Sequence, residues 1–340
     1  MNLSARSIQN NQSHEGSFVV KHETVPLTRI ETSMEELARS VLSHSLRSVR
    51  RWLKRAVRKW SDDDENVHQL RVSGRHALSA LILFEVLLPE SEVRWFRKQL
   101  KSILQAAGRA RDLDVLISKQ LTRCGKAGKI VAKQWHAERA AAQKPIIRLF
   151  RKLNQNDQFR KHKRSLIRNL KSSAVNSEHD AQQFCDVRIL PQFADRCRSF
   201  VNALGNEADV HALHELRIAV KRLRYAATPL LPVINDQSLP DLIKNLQGLQ
   251  TQLGEMHDHV VAEQELKRSA SKLKKPSHQK ILQELIEIEA RSIFNSVAEF
   301  RVWLKSDGCR ELKHCIESIV CRIKDEIEDT VPGRTVQGFV

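Results

Sequence analysis

Glycine and proline are scarce in this chain, at 11 and 9 of 340 residues, and aromatic side chains make up only 5%. With so few turn formers, the abundant Leu, Ala, Arg, Lys, Gln and Glu favour long helices and an all-α fold class. No run of about 18 apolar residues occurs, so no transmembrane helix, and no membrane partner reached through one, is expected. The polar stretch from Met1 to about Glu31 lacks the apolar core of a secretory signal. The six cysteines (Cys124, Cys185, Cys197, Cys309, Cys315, Cys321) contain no C-x-x-C pair and form no disulfide framework. They read as ordinary thiols of a reducing cytoplasm. Acidic residues are also in deficit: 57 Lys+Arg face 40 Asp+Glu, for a net charge of +17 and a pI near 9.9. Such a surplus bears on partners rather than fold, and leaves phosphate polymers, anionic membranes and acidic proteins open.

The apolar spacing predicts a succession of helices. A lead-in covers 1–32, the helical domain 33–327 and a tail 328–340. Ser33 with Glu36 reads as a capping box opening a helix to about Trp60. Its apolar positions are Leu42, Leu46, Val49, Leu53, Val57 and Trp60, the spacing of a core-facing stripe. Its other face carries Arg47, Arg50, Arg51, Lys54 and Arg58, and Leu37–Trp60 holds eight basic residues and no acidic one. The run Ser61–Asp64 offers caps for a second helix that stops at Pro89. Further helices are predicted at 92–107, from Gly108 toward Leu121, and at 131–153 and 158–171, with a turn at Cys124–Gly128. After a linker at Ser172–Asp180, helical patterns resume at 181–204, 209–231, 239–254, 258–273, 276–304 and 311–327.

The second half repeats the first. A shift of 146 residues lays Val67-His68-Gln69-Leu70-Arg71-Val72 on Leu213-His214-Glu215-Leu216-Arg217-Ile218. In the same register Arg75 falls on Lys221, Lys98 on Lys244, Gly108 on Gly254, Asp112 on Asp258 and Arg50 on Arg196. Polar identities kept in register over so long a span indicate an internal duplication, with repeat one at about 33–171 and repeat two at about 181–327. By analogy with isologous dimers, the two units are expected to meet around a pseudo-twofold axis.

The repeated residues sort by face. His214, Arg217, Lys221 and Tyr225 are spaced 3-4-4 and fall within about 80° of one helix face. Leu216, Val220, Leu223 and Ala227 lie on the other side, and His68, Arg71, Arg75 and Ser79 repeat the arrangement. Arg94, Lys98 and Lys101 share a face of the third helix as well. Guanidinium forks match phosphate oxygens in a bidentate way, and lysine adds a point charge. Such a surface suits a long, dense, flexible polyanion read without base-specific contacts. A single stripe of this kind is usually a solvated face; three in succession, duplicated in register, are harder to explain so. Arg111-Asp112-Leu113-Asp114 falls on His257-Asp258-His259-Val260, where only the aspartate of Asp112 and Asp258 is shared; it reads as a structural partner that orients the basic side chains.

Two other functions fit parts of the pattern. His257-Asp258 resembles the His-Asp pair of helical metal-dependent phosphohydrolases, with His211, His214 and His259 as further ligands. Repeat one has Arg111 at the place of His257, where a guanidinium would repel a metal cation. Nonspecific nucleic-acid binding is the other alternative. Single-strand binding usually relies on aromatic stacking platforms, whereas Trp52, Trp60 and Trp95 read as core or helix-edge residues.

The motifs VHQLRVSGRHAL and LHELRIAVKRLRY, with GRARDLDVL and LGEMHDHVV, resemble the CHAD family of histidine-containing α-helical domains. The resemblance spans about Ser33 to Ile327. It implies two four-helix-bundle halves related by pseudo-twofold symmetry around a basic central pore or groove. It also implies non-enzymatic binding of inorganic polyphosphate and association with polyphosphate granules in the cytoplasm, with neither cofactor nor metal. Carried over by position, the polyphosphate contacts are His68, Arg71, Arg75, His214, Arg217, Lys221 and Arg224. Lys98, Lys244, Arg50 and Arg196 come second. Leu78 stands where repeat two has Arg224, and His76 where it has Arg222, so the charge lining is expected to be lopsided.

Overall fold

The structure, a computed structural model, describes residues 34–61, 63–123, 125–170, 190–205, 209–228, 231 and 238–330. The expected lead-in, the linker at 172–180, the Ser33 cap and the last ten residues lie outside them. Among the described residues every regular element is helical. The first half holds α1 (Met34–Arg58), α2 (Glu65–Leu83), α3 (Glu90–Ala106), α4 (Gly108–Arg123), α5 (Gly125–Asn154) and α6 (Gln158–Arg168). The second holds α7 (Leu190–Leu204), α8 (Val210–Ala227), α9 (Ser238–Ala270), α10 (Pro276–Leu304) and α11 (Asp307–Thr330).

Local chemistry accounts for most boundaries. Asp63 Oδ1 accepts from the Glu65 amide at 2.9 Å, and Asp209 caps α8 by accepting from the Ala212 amide at 2.7 Å. Pro276 opens α10, where its missing N–H costs nothing. The chain passes from α5 to α6 through Asn156 and Asp157, which take left-handed φ angles of 53° and 54°. Residues of their type tolerate that region better than most.

Three expectations are corrected. The second helix ends at Leu83, and a 3-10 turn over Glu85–Leu87 carries the chain to Pro89. The turn foreseen at Cys124–Gly128 is replaced by α5, which begins at Gly125. The helices foreseen at 239–254 and 258–273 are one continuous α9 through Gly254. A glycine inside a helix costs about 1 kcal/mol against alanine, which tertiary packing outweighs.

Apolar stripes close the core. On α1, Leu42, Leu46 and Val49 are fully buried, whereas Arg47, Arg51 and Lys54 stay exposed. In the first half α2 packs on α1 and α3, α4 on α5, and α6 on α1. In the second, α8 packs on α7 and α9, α9 on α10, and α11 on α7. The halves meet where α2 touches α8, α4 touches α9 and α5 touches α10. A smaller apolar cluster seals this seam, with Leu113, Trp135, Leu266 and Leu282 at its centre. Above it Glu138 accepts from Arg109, Arg268 and Lys272, while Arg109 also pairs with Glu265. Partial burial opposes ionisation of Glu138, but hydrogen bonds from Gln134, Arg109 and Lys272 outweigh it and hold the carboxyl at about 2.

Inside the first half a buried polar chain ties three helices. Arg139 Nε donates to Asp114, and Arg139 Nη1 donates to Gln143 Oε1 at 3.1 Å. Gln143 Nε2 in turn donates to the Ala56 carbonyl at 2.7 Å, and the Arg139 guanidinium lies over the Trp60 ring. Removing one member of such a buried pair strands its partner, which costs more than replacing both. Arg139→Ala is expected to lower unfolding stability by about 3–5 kcal/mol. The double change Asp114→Leu with Arg139→Met recovers most of it, as chemical denaturation would show.

Candidate functional site

The two-sided helices α2 and α8 turn their apolar sides into the core and their cationic sides toward each other. Leu70, Ala77, Leu216, Val220 and Leu223 are all 0–1% exposed. Opposite them, His68, Arg71 and Arg75 of α2 and Arg217, Lys221 and Arg224 of α8 line one cavity of about 750 Å³. Arg111 and Asp112 of α4 and His257, Asp258 and His259 of α9 complete much of its wall, with Glu289 of α10 beside them.

Several contacts fix these groups. Arg71 Nη1 donates to the Leu104 carbonyl at 3.1 Å. Its guanidinium lies so close to Gly108 that a Cβ there would stand 3.4 Å from Nη1. A Cβ at that distance is in ordinary van der Waals contact, so Arg71 packs directly over Gly108 at the start of α4. At Gly254 a Cβ would meet nothing within 4 Å. Arg224 Nε donates to Gln250 Oε1 at 3.0 Å, and its guanidinium lies 5.0 Å from the Tyr225 ring centre. His259 Nδ1 shares a 2.6 Å hydrogen bond with the buried Glu289 carboxylate. Tyr225 also meets His76 of the other half edge-on at 5.1 Å.

The cations are crowded beyond what the acids can offset. Burial lowers the proton affinity of Arg71, and Arg75 lowers it further, while Asp112 works the other way. Burial does the same to Arg217, where Asp258 opposes it and Arg75 adds to it. Each aspartate thus favours the charge of its own repeat's arginine. Lys221 is pushed down to about 6 by burial and then by Arg217, Arg75 and Arg71. His257 falls to about 4 through burial and the charges of Arg217, His214 and Lys221, and His68 is lowered by burial and by Arg111. Burial raises the Asp112 carboxyl. The cavity holds positive charge that its own carboxylates leave partly unbalanced.

Of the residues expected to touch a polyanion, six line this cavity and five do not. His214 does not line it, and its ring lies 5.5 Å from that of His257. Arg50 lies on the far side of α1, 3.7 Å from Asp157. Lys98 and Lys244 are exposed and off the cavity, because the outer faces of α3 and α9 carry them. Arg196 lines a separate pocket between α2, α7 and α8. Reading the stripes alone missed Arg111, although it sits next to Asp112 in register with His257.

Comparison with known proteins agrees with this architecture. The family model described as CHAD domain matches residues 40–267. The chain is similar to the crystal structure of the CHAD domain from the plant Ricinus communis, with 21% identity, 86% of this chain and 94% of that one covered, and a TM-score of 0.58. It is also similar to PptA from Streptomyces chartreusis, with 15% identity, 81% and 100% coverage, and a TM-score of 0.58. At these identities both speak to the fold. Comparison with curated proteins returned no match.

Lys221 offers a direct test of the crowding. In competitive acylation across a pH series, its amine is expected to become half-reactive near pH 6, and Arg217→Gln to move that midpoint upward. A midpoint near 10.5, the ordinary lysine value, would contradict the electrostatic picture.

Proposed function

The chain belongs to the CHAD domain family, and on that premise we propose that its cavity binds inorganic polyphosphate without catalysing a reaction on it. One observation carries the reading: cationic side chains of both halves converge on a single cavity. Burial and mutual repulsion there depress the proton affinity of Arg71, Arg217 and Lys221. A ligand with one negative charge per repeating unit relieves that repulsion, and guanidinium forks hold its oxygens in pairs. The contacts are His68, Arg71, Arg75, Arg217, Lys221 and Arg224, joined by Arg111 and His257. Asp112 and Asp258 are structural, each favouring the charge on its neighbouring arginine.

In this reading the cavity is the central part of a basic pore between two duplicated units related by a pseudo-twofold. The matching order of helices and the recurrence of the same packing pairs in both halves support that symmetry. The contributions of the halves are unequal. Where repeat two places Arg224 on the cavity, repeat one places Leu78 in the neighbouring pocket and supplies Arg111 from α4. Binding of this kind serves association with polyphosphate granules in the cytoplasm. No helix among the described residues is long and apolar enough to cross a membrane.

The rival functions find less support. Among the described residues, no group of three or more His, Cys, Asp and Glu side chains is placed to hold a metal ion. A nucleic-acid duplex is far wider than a cavity of about 750 Å³, a volume typical of small-ligand sites, whereas a polyphosphate chain is one phosphate across.

Titration with long-chain polyphosphate at rising salt, with duplex DNA and RNA as competitors, tests the proposal. Salt-sensitive binding that nucleic acid fails to displace is expected. Arg71→Glu with Arg217→Glu should keep the helical fold and lose the affinity. Arg50→Gln, Lys98→Gln and Lys244→Gln together should change it by less than about threefold, because screened surface charges contribute little. Equal preference for nucleic acid, or full affinity in the double glutamate variant, would overturn the reading.

A further inference from the structure

Behind the polyphosphate cavity lies a second pocket of about 360 Å³, between α2, α7 and α8. The two voids share Arg75, Arg217, Lys221 and Tyr225 as a common partition. Their chemistry differs. The floor of the second pocket is apolar, formed by Leu78, Ile82, Leu83, Phe193 and Ile218. Around it stand the guanidinium groups of Arg75, Arg196, Arg217 and Arg222 and the amine of Lys221, and none of its described lining residues is acidic. Its volume is at the lower end of the range for small-ligand sites, about 300–1,000 Å³.

This pairing selects its occupant. A purely apolar ligand would leave the guanidinium groups unmatched, and a bare phosphate chain would gain nothing from leucine, isoleucine and phenylalanine side chains. We infer that the pocket between α2, α7 and α8 binds an amphipathic anion, a hydrocarbon chain ending in a carboxylate or phosphate. The chain lies against Leu78, Ile82 and Phe193, and the head reaches Arg196 and the shared cations Arg75, Arg217 and Lys221. Two anions that draw on the same cations oppose each other, so the amphiphile weakens polyphosphate binding from behind the wall. Only this antagonism rests on the polyphosphate reading; binding of the amphiphile itself does not.

The test uses the full chain with decanoate, decyl phosphate and decanol, each below its aggregation limit, in calorimetry without polyphosphate. Saturable one-to-one binding of at least one of the two anions, with decanol much weaker, is expected. The tighter of the two anions identifies the head group. Ile82→Asp places a carboxylate on the apolar floor and is expected to weaken the anions by about tenfold or more. Ile82 is 37% exposed and lies off the polyphosphate cavity, so that variant should fold and keep its polyphosphate affinity. Arg196→Gln removes a charged partner and should weaken the anions by about tenfold. Equal binding of decanol, no saturable binding of either anion, or full binding in Ile82→Asp would overturn the inference. If both ligands bind wild type but decanoate leaves polyphosphate affinity unchanged, the shared-cation assignment is wrong.

Discussion

Like charges forced together inside a protein repel, and the structure is organised around holding them there. Arg71, Arg75 and Arg217 meet across one cavity with the Lys221 amine, and the carboxylates of Asp112, Glu255, Asp258 and Glu289 in its lining offset them in part. For Lys221 the cost shows in an amine pushed down to about 6. In the free protein such a group is neutral at pH 7 while the unfolded chain would carry the proton. The unfolded state therefore binds more protons between about pH 6 and 10.5, and stability rises with pH across that window. The free cavity is thus a site of stored repulsion that a polyanion would release.

That repulsion is borne by apolar packing on the reverse sides of the same helices. The buried leucines and alanines of α2 and α8 belong to one core shared by both halves, so neither helix can swing outward without exposing it. The seam is closed again by the cluster around Trp135 and by the Arg109–Glu138–Arg268 network. Gly74 brings α2 close to α3, since a Cβ there would meet Leu104 at 3.1 Å. The position of each cation thus follows from contacts several residues away from it.

Much of this was legible in the sequence, because periodicity records which face of a helix is buried. The 3-4-4 spacing from His68 and from His214, and their common register, picked out His68, Arg71, Arg75, Arg217, Lys221 and Tyr225 of the cavity wall. Periodicity does not record which solvent-facing stripe meets another helix's stripe. Arg50, Lys98 and Lys244 share the pattern but stand on outer faces, and Arg196 faces the second pocket. Arg139 and Asp114 were invisible for another reason: they lie 25 positions apart on different helices, and only tertiary packing joins them. The continuity of α9 was missed because Gly254 looks like the counterpart of Gly108, which begins α4 directly after the break at Ala107. Identical residues in register need not have identical local roles.

Proton uptake during polyphosphate binding tests the central claim most directly. It can be measured by calorimetry near pH 7.5 in buffers of different ionisation enthalpy. Because Lys221 is neutral in the free cavity and gains a phosphate neighbour on binding, the account predicts net proton uptake that disappears in Lys221→Gln. Binding with no proton exchange in wild type would contradict it, since the ligand would then be held away from the crowded cations.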